Sequence, residues 1–216
     1  MMNLWLSCLL LFASLFLSSS APTPEECQNL VKPLSLADPS VMYGRMNFLV
    51  GYADHEVYKA ILKVTDSSWV KVSASPTSAT EIVVSQENKI NGTCFSSTVK
   101  GTVEGDTVNS SIANTTSVFH VLPSCEGCLA LSINSTAKNI QNLLKAMKFS
   151  DISMADEFHI RALYLLGPET TLKDSDLEHF KKQASCLGFS AELDFHYNPE
   201  KSFCQEGEGI RMPYSQ

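Results

Sequence analysis

The sequence predicts an all-β protein, an eight-stranded antiparallel up-and-down barrel with one C-terminal α-helix. Three observations predict it. Eight short segments between residues 44 and 167 alternate apolar and polar side chains with a period of two. Turn-rich pieces such as "SPTSAT" and "VEGDT" separate them. One clear helical segment follows the last strand. Closure into a barrel removes exposed strand edges, and eight strands enclose just enough room for their own side chains or one small ligand.

The chain opens "MMNLWLSCLLLFASLFLSSSAPTPEEC", apolar over residues 4–17 and then small at Ser18, Ser19 and Ser20. This pattern predicts a secretory signal peptide over residues 1–20, cleaved near Ala21 and too short to span a bilayer. Residues 21–216 are then one exported domain without a membrane span. The proline-rich stretch 21–44 predicts an arm laid over the fold rather than an element of it. In "GRMNFLVGYA" Met46, Phe48 and Val50 share a parity, as do Val70 and Val72 in "WVKVSAS" and Ile82 and Val84 in "TEIVVSQE". The later strands follow suit. Phe95 and Val99, Val108 and Ile112, Phe119 and Val121, the run "CLALSIN", and Phe158, Ile160, Ala162 and Tyr164 supply the remaining apolar faces.

Two segments break the period. Residues 136–151 predict a short amphipathic helix or a long loop, with Ile140, Leu143, Leu144 and Met147 at helical spacing. The segment "TLKDSDLEHFKKQASCLGF" predicts the C-terminal helix. Its apolar stripe is Leu172, Leu177, Phe180 and Ala184, acids crowd its first turns and Gly188 follows its end. A short strand "ELDFHY" and a cysteine-bearing tail close the chain.

The 16 basic and 23 acidic residues leave a net charge of -7, which disfavours nucleic acid as a partner. Four sequons, at Asn91, Asn109, Asn114 and Asn134, predict a glycoprotein. Without Cys8 of the signal, six cysteines remain: Cys27, Cys94, Cys125, Cys128, Cys186 and Cys204. In an oxidising compartment this even count favours three disulfides, with fifteen possible pairings. Within "SCEGCLALSIN", Cys125 and Cys128 have the spacing of a redox site or half a zinc site. No second CxxC or paired-His motif accompanies them, and an extended run follows where a thioredoxin-type site needs a helix; a local staple is the favoured reading.

From about Glu25 to Cys204 the chain resembles the lipocalins, in particular the alpha-1-acid glycoprotein (orosomucoid) and apolipoprotein M group with its fish tributyltin-binding and saxitoxin- and tetrodotoxin-binding plasma proteins. The likeness rests on "APTPEECQNLVKPLSLAD", "SCEGCL", "ALYLLG" followed by "PETTLKDSDLEHFKKQASCLGF", and the closing "FC". Two positions depart from the pattern. Gly44, Arg45 and Met46 stand where lipocalins carry Gly-x-Trp, and "LLGPE" lacks the Arg that caps that Trp. Met46 is expected to plug the barrel floor in its place. The resemblance implies disulfides joining Cys27 to Cys186 and Cys94 to Cys204, leaving Cys125 with Cys128.

The same resemblance implies a monomeric plasma carrier of a small hydrophobic or amphipathic ligand, needing no cofactor and no metal. From the register, the candidate lining is Phe48, Val50, Val70, Val84, Gln86, Phe95, Val108, Ile112, Phe119, Leu131 and Tyr164, each of which could equally be ordinary core. Gln86 and the Tyr164 hydroxyl are the candidate polar anchors. His120 and His159 have outward parity, and Trp69 is expected to shield the exterior or mouth. An enzyme is disfavoured, because no Gly-x-Ser-x-Gly elbow or defensible Ser-His-Asp grouping is present. Two rival functions are immune modulation through the surface and phospholipid carriage on a lipoprotein.

Overall fold

The computed structural model describes residues 21–112, 114–146, 155–190 and 192–212. The predicted signal peptide and the end of the predicted helix at 136–151, including Met147, lie outside them. Eight strands form the barrel: β1 (Gly44–Ala53), β2 (Thr65–Ala74), β3 (Glu81–Ile90), β4 (Thr93–Glu104), β5 (Thr107–Ile112), β6 (Thr115–Leu122), β7 (Leu129–Lys138) and β8 (Glu157–Gly167). All neighbours are antiparallel in the order β4-β3-β2-β1-β8-β7-β6-β5, and β4 pairs with β5 to close the cylinder. Asn91 and Gly92, with φ of 47° and 75°, make the two-residue turn between β3 and β4. A left-handed pair of this kind matches the strand twist, which is why Asn-Gly sits there.

Three structures dress this cylinder. The arm before β1, expected to carry no element, contains helix α1 (Pro24–Leu30). Its signature was nevertheless present: Thr23 and Glu26 form a reciprocal capping box around Pro24 at the first turn. The arm then passes under one end of the barrel, where Leu34 donates to the Val121 carbonyl and Leu36 to that of Gly105. A 3₁₀ turn (Pro39–Met42) places buried Met42 on the floor beside Leu36, Met46, Leu129 and Leu166. Met46, 5% exposed, is thus part of the apolar plug at this closed end.

The opposite end carries helices α2 (Glu56–Lys63) and α3 (Gln141–Ala146). The sequence reading did not anticipate α2, whose signal is no more than two i,i+4 pairs, Val57 with Ile61 and Tyr58 with Leu62. Val57 packs with Ile140, Leu144, Phe158 and Ile160 in one cluster, so the two helices cap the open end together. His55 caps α2 by accepting from the Val57 amide and stacks on Phe158.

Helix α4 (Asp174–Cys186) lies against the outside of the barrel. Phe180 and Ala184, with Leu172 and Leu177 beside them, meet Val50, Tyr52, Leu122, Ala130, Leu163 and Leu165. Gln183, fully buried, donates to the carbonyls of Leu30 and Pro123, tying the arm to the closed end. After α4, β9 (Phe195–His196) pairs with β1 at Val50 and Gly51, beyond the point where β2 stops pairing with it. The tail then crosses the outer face of β2, β3 and β4 to β10 (Ile210–Arg211), which runs parallel to β4. On its way Cys204 accepts from Trp69 Nε1 at 2.9 Å, and Gly207 donates to buried Glu87 at 2.7 Å. Trp69 therefore shields the exterior, with the Arg45 guanidinium 4.3 Å from its ring on the other side.

Three disulfides join Cys27 to Cys186, Cys94 to Cys204 and Cys125 to Cys128. The first pins α1 to the end of α4, and the second pins the tail to β4. The third staples the turn between β6 and β7. Among the sequons, Asn91, Asn114 and Asn134 are exposed, while Asn109 is half-buried and donates to Glu104.

Candidate functional site

The pairing register determines which side chains look into the barrel. Tyr164 lies opposite Gly51 on one side and Leu131 on the other, and Leu131 lies opposite Val121. Phe119 lies between Val108 and Ile133, and Val84 between Val72 and Val99. Gln86 lies between Val70 and Ser97. Of the predicted lining, Phe48, Val70, Val84, Val108, Phe119, Leu131 and Tyr164 come together in one apolar group with the floor residues. Gln86 joins them by register.

Three candidates sit elsewhere. Val50 faces outward beneath α4, where it is fully buried. The cause is a β-bulge at Leu49: Phe48 pairs with Leu166 but Val50 with Leu165, so one extra residue reverses the parity of everything after it. Gly51, not Val50, takes the inward position. Phe95 packs at the open end against Ile90, Ile61 and Met212. Ile112 is half-buried at the open end of β5. His159 is exposed and bonded to the Thr136 hydroxyl, and His120 is half-buried with the same outward parity as Ser132.

An aromatic cluster forms one wall. The Phe48 ring stacks on Phe195 at 4.3 Å and tilts against Tyr164 at 4.7 Å. The missing side chain of Gly51 makes this possible, since a Cβ there would lie 2.5 Å from Phe48 and 2.9 Å from Tyr164. Phe48, the nearer neighbour, is held between two rings and cannot move aside without displacing them. Gly51→Ala is therefore expected to destabilise the protein by about 1–3 kcal/mol through overpacking, measured as a shift of the urea midpoint at unchanged slope.

Tyr164 is surrounded on all sides by the barrel, and burial raises its hydroxyl pKa, with smaller contributions from Tyr58 and Asp194. Yet Tyr164 is only half-buried by surface area, as are inward-facing Val70, Val84, Gln86, Phe119, Leu131 and Ile133. A central residue can be enclosed and still retain accessible surface only if the space beside it is open. The interior is thus not packed to contact by its own side chains. Among the described residues, no hydrogen bond uses the Tyr164 hydroxyl.

Because the folded pKa of Tyr164 lies above the unfolded value of 10.0, its contribution to stability is complete below pH 10.0 and is lost as pH rises past it. Burial raises Tyr52 and Tyr197 in the same sense. Stability is expected to fall steeply above pH 10.0, and less steeply in Tyr164→Phe. Urea unfolding of both proteins across that range, with parallel slopes, would contradict the assignment.

No family model matches the chain, and no curated protein matches it. Solved structures do. The chain is similar to the siderocalin Ex-FABP at a TM-score of 0.56 and 12% identity, covering 74% of this chain and 95% of that one. It is similar to an odorant-binding protein at 0.51 and 14%, covering 73% and 90%, and to the bovine lipocalin allergen Bos d 2 at 0.50 and 15%, covering 71% and 89%. The fold is that of the lipocalins. Within the lipocalin architecture, the closed end is the floor plugged by Met42 and Met46, and the open end is the one covered by α2 and α3.

The sequence reading missed five polar residues of the interior. Asn88 lies opposite Ser68 and Phe95, and Ser97 opposite Gln86. Ser68 Oγ and Gln86 Nε2 both donate to Asn88 Oδ1, at 2.7 and 2.9 Å. On β6 and β7, Ser117 and Ser135 share a 2.7 Å hydrogen bond. Their common parity with Gln86, Phe119 and Leu131 was the available signal.

Proposed function

We propose that this protein is an exported, glycosylated carrier that holds one small apolar or amphipathic molecule inside the barrel. The observation that carries the reading is the partly uncovered apolar interior around Tyr164, enclosed by a plugged floor and a helical cap. The three disulfides and the accessible sequons suit an extracellular protein. No helix of the described residues is long and apolar enough to cross a membrane. The resemblance to the alpha-1-acid glycoprotein and apolipoprotein M group points to plasma and to a lipid, steroid, organotin or toxin-like compound as the ligand. The reading assigns the protein no catalysis, no cofactor and a monomeric state.

Native mass spectrometry of the secreted, deglycosylated protein with a fatty acid, a steroid and an organotin tests this. A one-to-one complex is expected with at least one of them. Phe48→Ala and Tyr164→Ala should each weaken it about tenfold or more, because each removes a ring from the wall. Absence of any complex from a folded, disulfide-intact protein would favour a role carried by the outer surface.

A further inference from the structure

The carrier reading leaves open how the ligand's polar end is recognised, and the barrel interior constrains it. Among the described residues, the inward register positions of β1 to β8 carry no Asp, Glu, Lys, Arg or His. The polar groups there are amides and hydroxyls. Gln86 and Asn88 are half-buried at the middle and upper part of β3, flanked by Ser68 and Ser97. Asn88 Oδ1 already accepts two hydrogen bonds. Within the described residues, nothing bonds Asn88 Nδ2 or Gln86 Oε1, which leaves one donor and one acceptor side by side on the wall. In an eight-stranded barrel β3 stands across from β7, so this pair lies on the opposite wall from Leu131 and Ser135. Beside Gln86 lies Val70, and toward the floor lie Val72, Val84 and Val121.

We infer that the barrel selects an electrically neutral amphiphile, seating its apolar body on the floor and its amide, carbonyl or hydroxyl group at Gln86 and Asn88. The inference rests on the carrier reading and names the ligand class of the same site. An uncharged group with both donor and acceptor character satisfies the two free amide atoms. A carboxylate or a guanidinium brought to Gln86 and Asn88 is stripped of water where no inward strand position carries an opposite charge, and such a transfer is strongly unfavourable. The Asp194 carboxylate, which acts on Tyr164 across β2 and β1 from this pair, accepts from the Ala53 amide and is of the wrong sign for an anionic head group. Ser68, 4% exposed, holds Asn88 in place and acts as a positioning residue.

The test uses one chain length with four head groups: tetradecanamide, tetradecanol, tetradecanoic acid and tetradecylamine, titrated into the full secreted protein at neutral pH. The amide is expected to bind about tenfold or more tightly than the acid and the amine, with the alcohol between. In Gln86→Leu and Asn88→Leu, variants that keep wall volume, the amide's advantage over the alcohol should shrink while both remain bound. Lowering the pH through the acid's own titration should recover its affinity, since the neutral acid can donate and accept. Equal or tighter binding of the ionised acid, or an amide preference untouched in both leucine variants, overturns the inference and leaves the carrier reading standing. Failure of all four ligands to bind the folded protein overturns the inference, and the carrier reading falls with it only if the steroid and the organotin also fail to bind.

Discussion

Replacing Cys94 and Cys204 together by serine is expected to lower the free energy of unfolding by about 4 to 5 kcal/mol, the chain-entropy value for a cross-link of this span. The bond closes a separation of 110 residues and so restrains most of the barrel in the unfolded ensemble. The native side adds to the loss. Cys204 is 3% exposed, its carbonyl accepts the Trp69 indole, and the tail beyond it covers Glu87 and pairs with β4. The bond from Cys27 to Cys186 closes a longer separation, 159 residues. Its removal is nonetheless expected to cost less, because α1 buries none of its residues and the cut arm can fray while the barrel persists. The staple from Cys125 to Cys128 spans only 3 positions, for which the same relation yields about 2 kcal/mol. Urea unfolding of the three paired-serine variants, followed by Trp69 fluorescence, should therefore rank them in that order. Equal losses would show that chain entropy does not govern the stabilisation.

The strands were readable because a barrel with one buried face imposes a strict two-residue period. Residues 44–53 and 157–166 were both delimited within a residue of their observed ends. The helix at Asp174–Cys186 and its stripe of Leu177, Phe180 and Ala184 were readable for the same reason at a different period. What failed was parity across an interruption. In "FLV" all three residues are apolar, so nothing in the sequence marks Leu49 as the extra one, and Val50 carried the wrong face as a result. Short elements failed differently. The eight residues of α2 gain their stability from Ile140, Leu144 and Phe158, distant in sequence, and not from their own propensity. The inward Asn88, Ser68 and Ser97 escaped because a polar residue at an inward position looks like a frayed strand until its register partner is known. The disulfide partners came through the family resemblance, since six cysteines on their own admit every pairing.

Phe180→Ala is expected to destabilise the protein by about 3–5 kcal/mol, among the largest losses available to a single substitution here. The ring is 1% exposed and stacks on Tyr52 at 5.8 Å, within the cluster of Leu163, Leu165 and Val50, of which Val50 is turned outward by the bulge at Leu49. The bulge and the helix are therefore one device. By reversing parity midway along β1, the chain places Phe48 inside the barrel and Val50 outside it, and the outer face so created is apolar and needs α4 as its cover. Truncating Phe180 leaves a cavity that α4 cannot collapse into, because Gln183 anchors the helix to Leu30 and Pro123 and Cys186 anchors it to Cys27. The interior wall does not contain this residue, so ligand affinity measured well below the unfolding transition should change by less than about twofold, in contrast to Phe48→Ala. Calorimetric unfolding together with a ligand titration separates the two effects. A Phe180→Ala protein of unaltered stability would show that α4 is not the cover of β1 and β8, and a large loss of affinity at native conditions would place the helix in communication with the cavity.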